Sequence, residues 1–302
     1  MDLLTDLRPR EMLRVPCMHV HLSFITDEAS DEPAEFLRLA RQFGVHALEL
    51  RSVHGVHVAK LDPASRRELR ASLDDANVGV CCIDSPVFKC DIDSSISPQL
   101  DVLRRAIDTA AYFDCSFIRV FSFWRRPDPA QYHDRIVEAL SQAAEIARPA
   151  GMRLLIENGK STMHSSGREL ADLLYAVDPR VYAALWDPGS CLYGGTEVNP
   201  VEAGYPLVKS RILHVHIKDP SVYRGAKPAL LERGIRNLDL ARQLDCLREE
   251  GYSGYVSLET HWRADPAARD DSPASAYAAT ERALASLHAL LMSPYLAGTQ
   301  TL

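Results

Sequence analysis

The chain alternates between two hydrophobic periods along most of its length, and this alternation constrains its fold more than any other feature. Eight runs carry the period-two pattern of a strand: Cys17–Phe24, Val45–Arg51, Val78–Asp84, Ser116–Ser122, Met152–Asn158, Val181–Asp187, Ile212–Lys218 and Tyr255–Thr260. The segments between them space apolar residues three and four apart, as in Leu69, Leu73 and Ala76, or Ile136, Leu140 and Ala144; the last runs from about Ser275 to Leu291. Asp62-Pro63, Ser97-Pro98 and Asp128-Pro129 each offer a capping side chain followed by proline at the first helical position. Gly44, Gly151 and Gly251 fall where a left-handed residue closes a helix.

Strict alternation of strand and helix demands a mostly parallel sheet. In an open sheet covered on both faces, central strands are apolar on both sides. Here one side is charged: His19 and His21 alternate with Met18, Val20 and Leu22, Glu49 and Arg51 with Leu48 and Leu50, and Arg119 with Ile118 and Val120. A closed cylinder accounts for this, because one side meets a ring of helices and the other points inward. The expected fold is α/β, a single (β/α)8 TIM barrel over residues 16–292. An amino-terminal extension (1–15) and a carboxy-terminal tail (293–302) flank it. An open doubly wound sheet is the rival.

Carboxyl ends of barrel strands converge on one mouth. Four successive runs end there on a metal-competent group: Glu157 in RLLIENG, Asp187 in AALWDPG, His216 in ILHVHIKDP and Glu259 in YVSLETH. Each alone has a plainer explanation. A strand-end glutamate is commonly a solvated surface group, Asp187 precedes Pro-Gly and suits a turn, and His216 suits a hydrogen-bonded interior. Equivalent positions on four consecutive units are harder to explain that way. Three carboxylates and one imidazole form a hard oxygen–nitrogen set suited to one divalent metal, Mn2+, Mg2+ or Co2+, with Zn2+ as a further candidate. The cation would hold together anions that otherwise repel.

The set IENG, LWDPG, HVHIKD and SLETH resembles the sugar phosphate isomerase/epimerase family of xylose isomerase-like barrels, from about Cys17 to Leu291. The resemblance implies that Glu157, Asp187, His216 and Glu259 bind the metal, commonly manganese. It implies also that Glu157 and Glu259 are the catalytic pair that exchanges the substrate proton in ketose epimerases. The substrate would be a small sugar or polyol-derived ketone, and the reaction isomerisation or epimerisation through proton abstraction beside a carbonyl. Dehydratases of keto-polyols or sugar acids share this barrel and are the alternative. An abasic-site endonuclease or a non-catalytic sugar-binding barrel fits less well. Relatives of this kind often form homodimers or homotetramers. Two positions depart from the epimerase pattern: Ser190 and Gly159 stand where many relatives carry histidine.

Substrate-binding candidates are Lys218 and His261, which share the ligand parity, Glu49, Arg51 and His21 on the opposite wall, Asn158 after Glu157, and Arg224 in the segment after the seventh strand. Lys218 could instead pair with Asp219, and His214 could orient its neighbours. Trp124 and Trp262 could cover a sugar ring or wedge loops onto the rim, while Lys227 and Arg233 accompany Arg224 in a possible phosphate-binding segment.

A net charge of −7 argues against nonspecific nucleic-acid binding, which needs Lys and Arg to displace counterions. Met1–Val15 is too charged for a secretory signal, and no run nears the ~18 apolar residues of a membrane span. Seven cysteines without framework spacing suit a reducing compartment. The expectation is a cytoplasmic protein with no membrane or nucleic-acid partner.

Overall fold

The computed structural model describes residues 20–218, 239–260 and 272–293. The amino-terminal extension, the tail beyond Ser293, and the residues Arg224, Lys227, Arg233, His261 and Trp262 lie outside these.

Eight parallel strands form the barrel: β1 (His21–Phe24), β2 (Ala47–Leu50), β3 (Gly79–Asp84), β4 (Phe117–Val120), β5 (Arg153–Glu157), β6 (Tyr182–Trp186), β7 (Ile212–Lys218) and β8 (Tyr255–Glu259). Pairing runs in chain order from β2 to β8, and β8 pairs with β1, His21 lying opposite Tyr255. A parallel bridge from Ile25 to Glu49 brings β1 against β2 and closes the cylinder. The main helices are α1 (Pro33–Gln42), α2 (Pro63–Asp75), α3 (Ser97–Tyr112), α4 (His133–Ala147), α5 (Gly167–Ala176), α6 (Pro188–Gly194), α7 (Leu240–Glu249) and α8 (Pro273–Met292). This is the single (β/α)8 barrel. Among the described residues no helix is long and apolar enough to cross a membrane.

Local chemistry sets several element boundaries. Asp62 accepts the N–H groups of Ala64 and Ser65 and Pro63 opens α2, as the sequence suggests. Ser166 and Glu169 form a reciprocal capping box on α5. Gly44, Gly151 and Gly251 have φ of 63°, 69° and 66°. Two expected caps differ. Ser97 lies inside α3, whose cap position is Ile96, and Asp128 is left-handed and leads into a 3-10 turn, Pro129–Tyr132, before α4. A hairpin also follows β2: Ser52 pairs with His57 and Val53 with Val56, across a turn with His54 and Gly55 both at positive φ. That is the mirror-image turn geometry a two-residue hairpin loop favours.

The core has two parts. Outward-facing strand residues, among them Phe24, Leu48, Ile118, Ile156, Trp186, Val215 and Leu258, pack against the helices. Inside the barrel a smaller apolar cluster, Ala47, Cys81, Cys82, Leu155, Ala183 and Leu185, fills the space with Phe117, Leu213 and Tyr255 near the amino ends of the strands. Above it the interior becomes ionic.

Candidate metal centre and barrel mouth

Period two aims alternate residues of each strand inward. On β5 this brings Glu157 to the mouth, on β7 His216 and Lys218, and on β8 Glu259; Asp187 follows β6 directly. All five are buried. His216 Nδ1 lies 3.4 Å from Glu259 Oε2 and 4.0 Å from Glu157 Oε1. It has no hydrogen-bond partner among the described residues, and neither does Glu157 Oε2. One ligand atom from each of Glu157, His216 and Glu259 lies within 4.8 Å of the others. A buried imidazole nitrogen facing two buried carboxylates fits a divalent cation in its donor chemistry.

Asp187 stands slightly apart from this trio. Its Oδ1 accepts the Ser190 N–H at 3.0 Å, and its Oδ2 accepts the Ser190 hydroxyl at 2.6 Å. It therefore caps α6 while remaining linked to the cluster through Lys218, whose Nζ lies 2.9 Å from Asp187 Oδ2 and 2.6 Å from Glu259 Oε2. Burial alone would depress the lysine, but Asp187, Glu259 and Glu157 outweigh it and hold the ammonium well above its usual value. Lys218 is a fixed cation between two of the candidate ligands.

The opposite wall carries a second ionic group. Arg119, on β4, contacts the Asp84 carboxylate and approaches Glu157 Oε2 at 3.2 Å. Burial would lower the guanidinium, yet Asp84, Glu157 and Glu259 raise it instead. Burial pushes the Asp84 carboxyl up to about 8 against the pull of Arg119. Arg51 binds Asp27 through Nε at 3.0 Å and Glu28 through Nη2 at 2.7 Å, with its Nη1 3.8 Å from Asp84 and 3.9 Å from Glu259. It reaches the mouth as a half-buried, multiply paired cation. Lys89 holds its Nζ 4.6 Å from the centre of the Phe121 ring, and burial, then Arg119, lowers its pKa.

Three substrate candidates are elsewhere. Glu49 is not on the mouth wall. It is fully buried beneath His216, accepting Nε2 of His216 at 2.9 Å and Nε2 of His214 at 3.0 Å. Burial raises such a carboxyl, but the two imidazoles reverse the effect and keep it well below the usual range; Glu49 in turn leads the groups that hold His216 well above its own. Asn158 is turned to its neighbour strand: its Oδ1 accepts the Asp187 N–H at 2.8 Å and its Nδ2 donates to the Asp187 carbonyl at 2.7 Å, so it locks two strand ends together. His21 opens β1 at the amino end of the barrel, stacked 5.3 Å from Tyr255, away from the mouth. Trp124 is 37% exposed on the rim, bridged to Thr162. At Gly159 a Cβ would meet Thr162 Cγ2 at 3.1 Å, so a side chain there would need Thr162 to give by a few tenths of an ångström.

Sequence reasoning missed Asp84, Arg119 and Lys89 as site residues. Asp84 ends its strand as the four candidate ligands end theirs, and Arg119 has inward parity, so both carried a usable signal.

The chain matches the model of the xylose isomerase-like TIM barrel family over residues 37–285. An inosose dehydratase of Geobacillus kaustophilus is 34% identical over 86 residues, 28% of this chain and 27% of that protein. The matched stretches span about a quarter to a half of the inosose dehydratases concerned, 27% and 48%. Among solved structures, a D-tagatose 3-epimerase-like protein superposes with a TM-score of 0.67 at 18% identity, over 90% of this chain and 98% of that one. A probable 3-DHS dehydratase from Bacillus anthracis gives 0.66 at 15% identity, over 91% and 100%.

Proposed function

Because the chain belongs to the xylose isomerase-like TIM barrel family, we propose that it is a divalent-metal-dependent enzyme that removes a proton beside the carbonyl of a small sugar or polyol-derived ketone. The observation that carries this reading is the buried trio of Glu157, His216 and Glu259, with His216 Nδ1 facing the two carboxylates at 3.4 Å and 4.0 Å. Glu157, His216 and Glu259, with Asp187, would hold one cation, manganese foremost, which when bound polarises the substrate carbonyl.

One of Glu157 and Glu259 takes the C–H proton while the bonding pair moves toward the carbonyl oxygen. The other returns a proton, to the opposite face for epimerisation or to the neighbouring carbon for isomerisation. Lys218 and Arg119 hold positive charge against these glutamates, 2.6 Å and 3.2 Å away, and so fix their orientation. The Lys218 ammonium also favours a second reading, dehydration. Its N–H groups can donate a hydrogen bond to a departing hydroxyl that the proton-bearing glutamate protonates, and the inosose dehydratase matches support this reading. The six described cysteines are all free, in keeping with a cytoplasmic enzyme.

Metal analysis of purified protein, then deuterium wash-in from D2O against a panel of ketoses and keto-polyols, tests the proposal. Exchange at the carbon beside the carbonyl, lost by about 10²–10⁴-fold in Glu157→Gln or Glu259→Gln, is expected. Loss of 18 mass units from the product would select dehydration. Metal occupancy with undiminished turnover in both variants would refute the roles given to the glutamates.

A further inference from the structure

The arrangement beneath His216 assigns a role to a residue that touches neither substrate nor the cation in the proposed reaction. We infer that Glu49 is a positioning residue that fixes the His216 ring so that Nδ1, not Nε2, is offered to the metal. This rests on the reading of His216 as a ligand. Glu49 lies on β2, across the barrel interior from β7, and its side chain is fully buried. His216 Nε2 lies 3.1 Å from Oε1 and 2.9 Å from Oε2, and His214 Nε2 lies 3.0 Å from Oε2. An ionised carboxylate only accepts, so both rings donate to it through Nε2–H. With a cation in place of the second ring proton, the lone pair would then be on Nδ1, the atom that faces Glu157 and Glu259.

The geometry also explains His214, which sits two residues earlier on the same strand. Its ring centre is 5.5 Å from that of His216, at an interplanar angle of 74°. It supplies a second N–H to Oε2 and so stops the Glu49 carboxylate from swinging away from His216. The acid thus joins two histidines of one strand to the wall opposite, and orients the upper ring from below. Partners that orient a ligating imidazole in this way commonly set metal affinity within a factor of 10–100.

The test uses the full-length protein, with Mn2+ binding followed by calorimetry and by the electron paramagnetic resonance of free Mn2+. Glu49→Gln is expected to weaken Mn2+ binding roughly 10–100-fold, Glu49→Asp to recover part of that loss, and His214→Phe to weaken binding less than Glu49→Gln. In the Zn2+-loaded wild type, ¹⁵N-labelled histidine spectra are expected to show His216 protonated at Nε2 and metal-bound at Nδ1. If the glutamine variant fails to fold, the wild-type spectrum and the aspartate variant still decide. Unchanged Mn2+ affinity in a folded Glu49→Gln, a His216 bound through Nε2, or a second Mn2+ per chain lost with Glu49 would each overturn the inference and leave the proposed reaction standing. A wild type that binds no Mn2+ or Zn2+ would remove the reading beneath it instead.

Discussion

Replacing Arg119 with methionine isolates the electrostatics of the mouth from its chemistry. The Arg119 side chain is 5% exposed and stands between Asp84, wholly buried, and Glu157, 4% exposed. Methionine preserves much of the volume and removes the charge. Deleting one partner of a buried pair costs about 3–5 kcal/mol, because the other ion is left uncompensated. Two responses reduce that cost. Arg51 remains 3.8 Å from Asp84. Asp84 can also hold a proton, since burial already lifts it to about 8 with Arg119 in place. Loss of Arg119 raises it further. A carboxyl whose folded pKa exceeds its unfolded value, about 3.9, gives stability that is complete at low pH and lost as pH rises through the folded value. The deficit of the variant should therefore be smallest near pH 6 and grow toward pH 9. Adding Asp84→Asn should return a large part of it. Urea unfolding followed by circular dichroism, with midpoints compared at constant slope, measures this. A deficit below about 1 kcal/mol, one independent of pH, or one that Asp84→Asn leaves untouched would refute the reasoning.

Three further outcomes follow from the same structure. Mn2+ at about 100 times its Kd should stabilise the fold by about 2.7 kcal/mol; the rise in Tm should appear in scanning calorimetry and vanish in Glu259→Gln, and a flat response in the wild type would contradict the metal reading. Asn158→Leu strands the N–H and C=O of Asp187 in a buried place, and should cost roughly 2 kcal/mol or more with a weakened metal site; unfolding midpoints and Mn2+ titration report both. His164, buried and with Nδ1 unpartnered among the described residues, is held at about 4 by burial. Its neutral form is favoured in the fold, so stability is lost as pH falls from about 6.5 to 4, by roughly 3 kcal/mol relative to His164→Gln across that interval.

The alternating pattern made the barrel legible because parity is a local property: each inward and outward residue can be assigned from its own strand. Height inside the cylinder is not local. Lys218 pairs with Glu259 and His216 with Ser257, so β7 and β8 deliver both ends to one level. On β2 the register slips between Leu48 and Glu49, and Glu49 meets Cys82 rather than the residue regular pairing would give. A second slip falls between Ala184 and Leu185, before Asp187. Parity thus identified Glu49 as inward, but not as lying beneath a ligand. Asn158 escaped for a different reason. Its amide reaches sideways to the next strand end, and only the β5–β6 pairing reveals that contact. Arg119 is legible in the sequence as a mark of a closed sheet but not as a neighbour of Glu157, because its partners are 35 and 38 positions away along the chain.

The charge distribution bears on the kind of ketone the mouth would accept. Asp84, Glu157, Asp187 and Glu259 face Arg51, Arg119 and Lys218, and each of those cations already lies within ion-pair distance of at least two carboxylates. A phosphate group entering here would have to draw a cation away from a buried carboxylate, leaving that anion exposed to the cost that a lone buried charge carries. A neutral polyol meets no such penalty, since its hydroxyls can donate to the same carboxylates without displacing their partners. Lys89 is the contrasting case: among the described residues no carboxylate lies within ion-pair range of it, and its ammonium rests on the Phe121 ring. A cation already partly desolvated, held on an aromatic face beside Arg119, is suited to a hydroxyl or carbonyl oxygen. Under the proposed reading, the paired cations of the described part of the mouth suit an uncharged keto-polyol better than a phosphorylated one.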